Sequence, residues 1–169
     1  MIYRRPVPLD ERHRIEAFDC GKPVLNDWLS DMALYNQAQG YARTFVITQN
    51  DFRILGYHSL CAGIINRSDV SRSIKGSHAP TDIPVALLAR IAVDKSAQGT
   101  GIGAALMSNA FRSAVSAGQS VAFRAIMVDA LDDEALGFYK KYGFEPSKIS
   151  PTKLLLPMNK IIASLDEAT

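Results

Sequence analysis

Cysteine is scarce in this chain: Cys20 and Cys61 are the only two among 169 residues. Their neighbours suggest no metal site, and two thiols make no disulfide framework. A reducing cytoplasm with free thiols is the expectation. Long apolar runs are also missing, and none approaches the roughly 20 residues of a membrane span. The start, Met1-Ile2-Tyr3-Arg4-Arg5-Pro6, has basic residues with no apolar core behind them, so no signal peptide is expected. Neither sign of charge dominates: 19 basic residues face 17 acidic ones, for a net +2. The field of the whole protein therefore says little about a nucleic-acid partner. Internal repeats and domain boundaries are absent. One domain over 1–157 with a tail at 158–169 is the expected organisation.

What is present is ordinary for a soluble globular protein: 47% hydrophobic and 21% charged residues. The length suffices for one substantial core. Charge gathers locally. Residues 66–80 carry Arg67, Arg72, Lys75 and His78 against Asp69, and 140–153 carry four lysines against Glu145. The first 14 residues hold Arg4, Arg5, Arg12 and Arg14 against Asp10 and Glu11. These runs read either as a basic patch for a phosphate-rich partner or as scattered solvated charge.

The organising stretch is Leu87 to Gly103. Apart from Arg90, residues 85–93 are apolar, which suits a strand covered on both faces. Gly99, Gly101 and Gly103 follow, and an amphipathic pattern starts at Ile102. A glycine-rich loop feeding a helix N-terminus leaves amide N–H groups outward at the positive end of the helix dipole, a natural anion site. The plain alternative is a tight strand-to-helix connection with no ligand. No Gly-Lys-Ser/Thr follows, so this is not a P-loop, and the glycines are too close together for G-x-G-x-x-G.

Around this centre the chain reads as alternating elements. Residues 1–8 form a first strand anchored by Ile2, Val7 and Leu9, with Pro6 and Pro8 confining it to an edge. A helix opens at Pro23, carries apolar residues at 25, 28, 29, 32 and 33, and stops at Gly40. Trp28 falls on its core side. Strands at 42–49 and 54–65 make a hairpin. His58, inside the second, is either a base or a structural residue. Residues 66–82 read as a mobile, polar loop with at most one helical turn. A helix over 102–117, with Ala105, Leu106, Ala110 and Ala114 buried, leads to a strand over 121–128 and a right-handed parallel crossover. Asp132-Asp133-Glu134 opens a further helix ending at Gly143. Short strands follow at Phe144 and at 153–156. The last residues form a short helix or stay disordered.

Two motifs carry a resemblance. Gln98-x-x-Gly101-x-Gly103 resembles the Q/R-x-x-G-x-G/A loop of the GNAT N-acetyltransferases. Asp132-x-x-Ala135-x-x-Phe138-Tyr139-x-x-x-Gly143-Phe144 is similar to the second half of that pattern. Within the superfamily, four segments look like the tRNA-acetylating toxins of toxin–antitoxin systems, the TacT-like and AtaT-like group. They are Leu88 to Asp94, Leu25-x-x-Trp28-Leu29, Ala42 to Val46 and Phe138-Tyr139. The likeness runs from about Phe18 to Phe144.

The resemblance implies an α/β (α+β) GNAT fold: a mixed, mostly antiparallel sheet whose central parallel pair splays around acetyl-CoA, with helices on both faces. It implies acetyl-CoA as cofactor, held by Gln98, Gly99, Thr100, Gly101, Ile102 and Gly103 at the pyrophosphate. Ile91, Ala92 and Val93 would lie along the pantetheine arm, with Phe138 nearby. Asp132 stands where the family commonly has a pantetheine-contacting Asn, and helix capping is its simplest local role. Tyr139 is implied as general acid. The implied activity is acetylation of the α-amino group of aminoacyl-tRNA, which halts translation. The implied partners are a ribbon-helix-helix antitoxin and a second copy of the chain, in the cytoplasm and away from membranes. No metal is implied. Arg43, Arg90, Arg67, Arg72 and Lys75 are the candidates for tRNA phosphates, and Arg90 reads equally as a satisfied strand residue.

The chemistry agrees with an α-amine acceptor. An ordinary tyrosine, with a pKa of about 10, is protonated at neutral pH and can supply a leaving thiolate with a proton. A backbone N–H near Val93 could polarise the thioester carbonyl. No carboxylate or histidine stands out as general base. A free α-amino group titrates near about 7.7–8.0, lower still beside an ester, and needs less help than a lysine at about 10.4. The competing readings are a GNAT enzyme of a small-molecule amine or a protein N-terminus, and a GNAT fold kept only as a binding module.

Overall fold

The structure, a computed structural model, describes residues 2–167. Hydrogen bonding joins seven strands in the order β1-β2-β3-β4-β5-β7-β6. They are β1 (Val7–Pro8), β2 (Arg43–Thr48), β3 (Ile54–Asn66), β4 (Asp82–Val93), β5 (Ala125–Asp129), β6 (Glu145–Pro146) and β7 (Lys153–Pro157). β4 and β5 are parallel, and the pairs β1–β2, β2–β3, β5–β7 and β6–β7 are antiparallel. The sheet is thus mixed with one parallel pair, as the GNAT pattern implies. By backbone contacts the chain forms two compact units. One comprises 2–61 and 89–110, and the other 62–88 and 111–167. β3, β4 and the long helix contribute to both.

In the first unit, β1 is only two residues long and pairs with β2 alone. Prolines lack the N–H a ladder needs, so the strand stays short. Leu9 is buried, but Ile2 is fully outside and anchors nothing. The single helix expected from Pro23 to Gly40 is two, α1 (Pro23–Asp31) and α2 (Ala33–Gln39). Met32 breaks it with φ −122°, and its side chain is exposed. Gly40, at φ 79°, then ends α2 in the left-handed conformation that glycine adopts without a Cβ penalty.

Both faces of this part of the sheet are covered. Leu29 and Ala33 pack with Val46, Tyr57 and Ala92 on one side. Ile47 and Leu55 pack on the other with Ile102 and Leu106, from α4 (Ile102–Gly118). Gly56 permits that second contact, because a Cβ there would lie 2.9 Å from Ile102 Cγ2 and Leu106 Cδ1. Helices on both faces follow directly from the alternation of side chains along β2 and β3.

In the second unit, the segment expected as a mobile loop is tied down. Its short helix α3 (Arg72–Lys75) is preceded by a 3-10 turn over Arg67–Asp69. Val70 and Ile74 are buried with Ile83, Val85 and Leu155. Hydrogen bonds from Arg124 Nε to Ile74 O at 2.7 Å and from Lys148 N to Asp69 O at 2.9 Å hold it there as well. The strand expected from Val121 begins at Ala125. The N–H of Val121 still bonds to Ala117 O at 2.9 Å, so the end of α4 keeps winding and leaves Val121 outside. α5 (Asp133–Lys141) and α6 (Met158–Glu167) complete the set, and the described tail is helical with Ile161 buried. Among the described residues, no helix is long and apolar enough to cross a membrane.

Candidate active site

In the first unit, β4 runs into a tight loop whose anchor is Asp94. Its carboxylate accepts from Asp19 N at 2.9 Å, Ser96 N at 2.9 Å and Ser96 Oγ at 2.7 Å. Arg53 Nη2 stands 3.5 Å away. Burial pushes the Asp94 pKa up, but these hydrogen bonds and the Arg53 charge outweigh it and hold the acid below its usual range. The Gln98 side chain closes the loop, donating from Nε2 to Val93 O at 3.0 Å and Cys20 O at 3.2 Å. The Thr100 hydroxyl turns back onto Ala97 O. Both side chains thus bond back to main-chain carbonyls of the loop and its neighbours.

What remains facing outward is main chain. Gly99 and Gly101 sit at φ 78° and 91°, in the left-handed region. A Cβ on Gly99 would meet nothing within 4 Å, so its open side is free surface. The first N–H to bond back along α4 is that of Ala105, onto Gly101 O at 3.1 Å. The amides of Ile102, Gly103 and Ala104 therefore precede the helical ladder. Tyr3 Oη lies 3.5 Å from Gly101 O at one edge of the turn, and the main-chain donors left open at this helix N-terminus fit a pyrophosphate. Gly99→Ala adds a strained left-handed residue, costing about 1–2 kcal/mol, and a methyl on that open side. The KM for acetyl-CoA should rise about tenfold with kcat nearly kept, read from initial rates across acetyl-CoA concentrations.

Ile91, Ala92 and Val93 form the end of β4. Ala92 packs on the α1 side, while Ile91 and Val93 pack on the α4 side. Arg90 Cζ lies 4.1 Å from the centroid of the Trp28 ring, a cation–π contact. Trp28 is half-buried and stacks in turn on Tyr57 at 6.1 Å and 13°. Arg43 is exposed and donates to Gln37 O at 3.0 Å.

His58 is sealed in the core, its Nε2 2.7 Å from Asn109 Oδ1 and its ring stacked on Phe45. It is a structural residue and reaches no substrate. Burial lowers its pKa from 6.5 to about 4, against the opposing effect of the hydrogen bond to Asn109 Oδ1. The unfolded chain therefore takes up this proton first. Stability should be full above pH 6.5, fall as the pH drops, and level off below about 4. Thermal melts across that window should show the slope in the native protein and lose most of it in His58→Gln.

In the second unit, α5 presents the other predicted residues. Asp132 caps it, accepting from Ala135 N at 2.9 Å. The Tyr139 ring packs against Phe138 at 5.6 Å and Phe144 at 5.7 Å, and only 4% of the residue is exposed. Burial first, and the Asp129 charge second, push its pKa above the ordinary phenol value, so its proton is secure at neutral pH. Arg67 and Lys75 are drawn into local bonds, to Ala79 O and Arg67 O, both at 3.1 Å. Arg72 sits in the last turn of α3. Among the described residues, no group of three His, Cys, Asp or Glu side chains could hold a metal ion.

Sequence reasoning missed Asp94 as the loop's anchor and Trp28 as the seat of Arg90. An aspartate closing an apolar strand just before a glycine loop was the available signal for the first. The second had none, because 62 positions separate the partners.

Comparison with known proteins agrees with this geometry. Residues 40–146 match the acetyltransferase (GNAT) domain family. The chain is 38% identical over 156 residues to the tRNA-acetylating toxin of Mycobacterium tuberculosis, covering 92% of this chain and 93% of that protein. A solved structure of AtaT complexed with acetyl-methionyl-tRNAfMet superposes with a TM-score of 0.88 at 28% identity, over 97% of this chain and 99% of that one. A tyrosine-to-phenylalanine mutant of AtaT, bound to acetyl-CoA and the C-terminus of the antitoxin AtaR, superposes with a TM-score of 0.82 at 27% identity, covering 96% and 98%. With its glycine loop, its parallel strand pair and most of its length matched, the chain belongs to the GNAT acetyltransferases and is an acetyl-CoA-dependent N-acetyltransferase.

Proposed function

We propose that this enzyme is the toxin of a toxin–antitoxin pair and acetylates the α-amino group of aminoacyl-tRNA, blocking translation. The glycine turn between Asp94 and α4 carries the reading, because it leaves main-chain donors open at a helix N-terminus, the kind of site that suits a diphosphate. The similarity to a tRNA-acetylating toxin over most of both chains supports the acceptor. Bound acetyl-CoA supplies the acetyl group as an activated thioester.

The chain's own groups do the rest. The amides of residues 99–103 hold the pyrophosphate, and the Gln98 side chain keeps the turn in shape. The main chain at Ile91 to Val93 aligns the pantetheine arm, and a backbone N–H there stabilises the developing oxyanion. Asp132 holds α5 in place by capping it, and Phe138 packs beside Tyr139. Tyr139 keeps its proton at Oη and acts as general acid. Arg43, Arg67, Arg72 and Lys75 contribute positive charge toward tRNA phosphates. A ribbon-helix-helix antitoxin neutralises the enzyme, which works as a homodimer in the cytoplasm.

The test is incubation of the purified protein with radiolabelled acetyl-CoA and total charged tRNA, followed by mass spectrometry of the released amino acids. Label on the α-nitrogen of one or a few amino acids is the expected result. Label that appears only on small amines or protein N-termini overturns the assignment.

A further inference from the structure

Arg90 is the one predicted phosphate ligand that the structure places on the same strand as the acetyl-CoA arm, directly before Ile91. It shares a face of β4 with Leu88 and Ala92, both buried, so its side chain emerges on the α1 side, where Ala92 packs. There its guanidinium lies over the Trp28 indole at 4.1 Å. Trp28 is itself held. It stacks on Tyr57, whose hydroxyl donates to Leu25 O at 2.7 Å and so fixes the start of α1. A half-buried guanidinium normally spends its five N–H donors on carboxylates or carbonyls. Among the described residues, this one has no hydrogen bond and no ion pair, only the ring beneath it. A cation–π contact holds an arginine's plane but satisfies none of its edge donors.

We propose that Arg90 is a substrate-positioning residue whose planar fork, held flat on Trp28, grips the phosphate of the nucleotide that carries the acceptor amino acid. This rests on the aminoacyl-tRNA reading and goes beyond it by naming the group that is gripped. A fork of parallel N–H donors matches a phosphate oxyanion in bidentate geometry, which an ammonium cannot reproduce. In an ester-linked aminoacyl nucleotide, the terminal 5′-phosphate is the anion nearest the amine. Gripping it beside Ile91 would fix the amine's approach to the acetyl group.

The experiment uses two minimal acceptors, a 3′-aminoacylamido-adenosine with and without a 5′-phosphate, at saturating acetyl-CoA. The native enzyme should favour the phosphorylated acceptor about tenfold in kcat/KM, through KM. Arg90→Gln should level the two acceptors, and Arg90→Lys should keep only part of the preference. Trp28→Leu should also weaken the preference while the KM for acetyl-CoA stays unchanged. Circular dichroism confirms folding, and Arg90→Lys serves if Arg90→Gln does not fold. No preference in the native enzyme, or a full one in Arg90→Gln, overturns the proposal. If acetyl-CoA binds but neither acceptor is acetylated, the aminoacyl-tRNA reading fails separately. Calorimetric binding of the phosphorylated acceptor then decides the point: equal affinity for native and Arg90→Gln protein refutes the grip, and a loss of about tenfold upholds it.

Discussion

Tyr139→Phe should lower the rate of acetyl transfer by about 10²–10⁴-fold while leaving the protein folded. The substitution removes one oxygen and keeps the ring. The contacts of that ring with Phe138 and Phe144 survive, and among the described residues the hydroxyl has no hydrogen bond to lose. Stability should therefore change by less than about 0.5–1 kcal/mol. As the proposed general acid, the phenol would act only as the thiolate departs, so the loss should fall on kcat. The pH profile provides a second reading. Burial and Asp129 raise the phenol's pKa, so Tyr139 stays protonated and imposes no basic limb through the neutral range. The rate should instead rise as the acceptor amine deprotonates, with an apparent pKa at or below about 7.7–8.0. Single-turnover assays with radiolabelled acetyl-CoA, at several pH values, measure both. Full activity in Tyr139→Phe would remove the residue from the mechanism.

Asp94→Ala should strongly destabilise the first unit, by about 2–4 kcal/mol, through the buried donors it leaves without an acceptor. It removes the acceptor of the Asp19 N–H and of the Ser96 N–H and hydroxyl, and leaves the Arg53 guanidinium with Ser96 Oγ at 3.3 Å in place of the carboxylate. The same carboxylate ties the residues before α1 to the turn that precedes the glycines, so loss of stability and loss of acetyl-CoA affinity should appear together. Its pH signature is the reverse of an ordinary surface acid's indifference. The folded pKa lies below the unfolded one, so the contribution is complete above about pH 4 and disappears as the pH falls through the folded value. Denaturant melts of Asp94→Ala and Asp94→Asn at neutral pH measure the cost. An Asp94→Ala protein as stable as the native one would mean that the loop is held by something else.

The parts of this protein legible in its sequence are those written locally. The glycine turn was visible because left-handed backbone at 99 and 101 demands glycine within a few residues of a strand's end. The cap at Asp132, the stop at Gly143 and the β2–β3 hairpin were visible for the same reason. Each is decided by neighbours one to four positions apart. The two motifs together were enough to name the family and the cofactor and to put Tyr139 on a helix that ends before Gly143.

Other features needed the chain to come back on itself. The helix after Pro23 breaks at Met32, although its apolar spacing runs straight through, and the Met32 side chain stays exposed. Residues 66–82 read as a free loop until Val70 and Ile74 meet β4 and β7. His58 could have been a base; Asn109 and Phe45 make it a neutral core residue. Arg90 could have been any strand arginine until Trp28 was placed beneath it. Backbone conformation is set by short-range sterics and is written in order along the chain. Burial, ionisation and the orientation of a charged group are set by atoms far away in sequence, so only the tertiary structure could decide them.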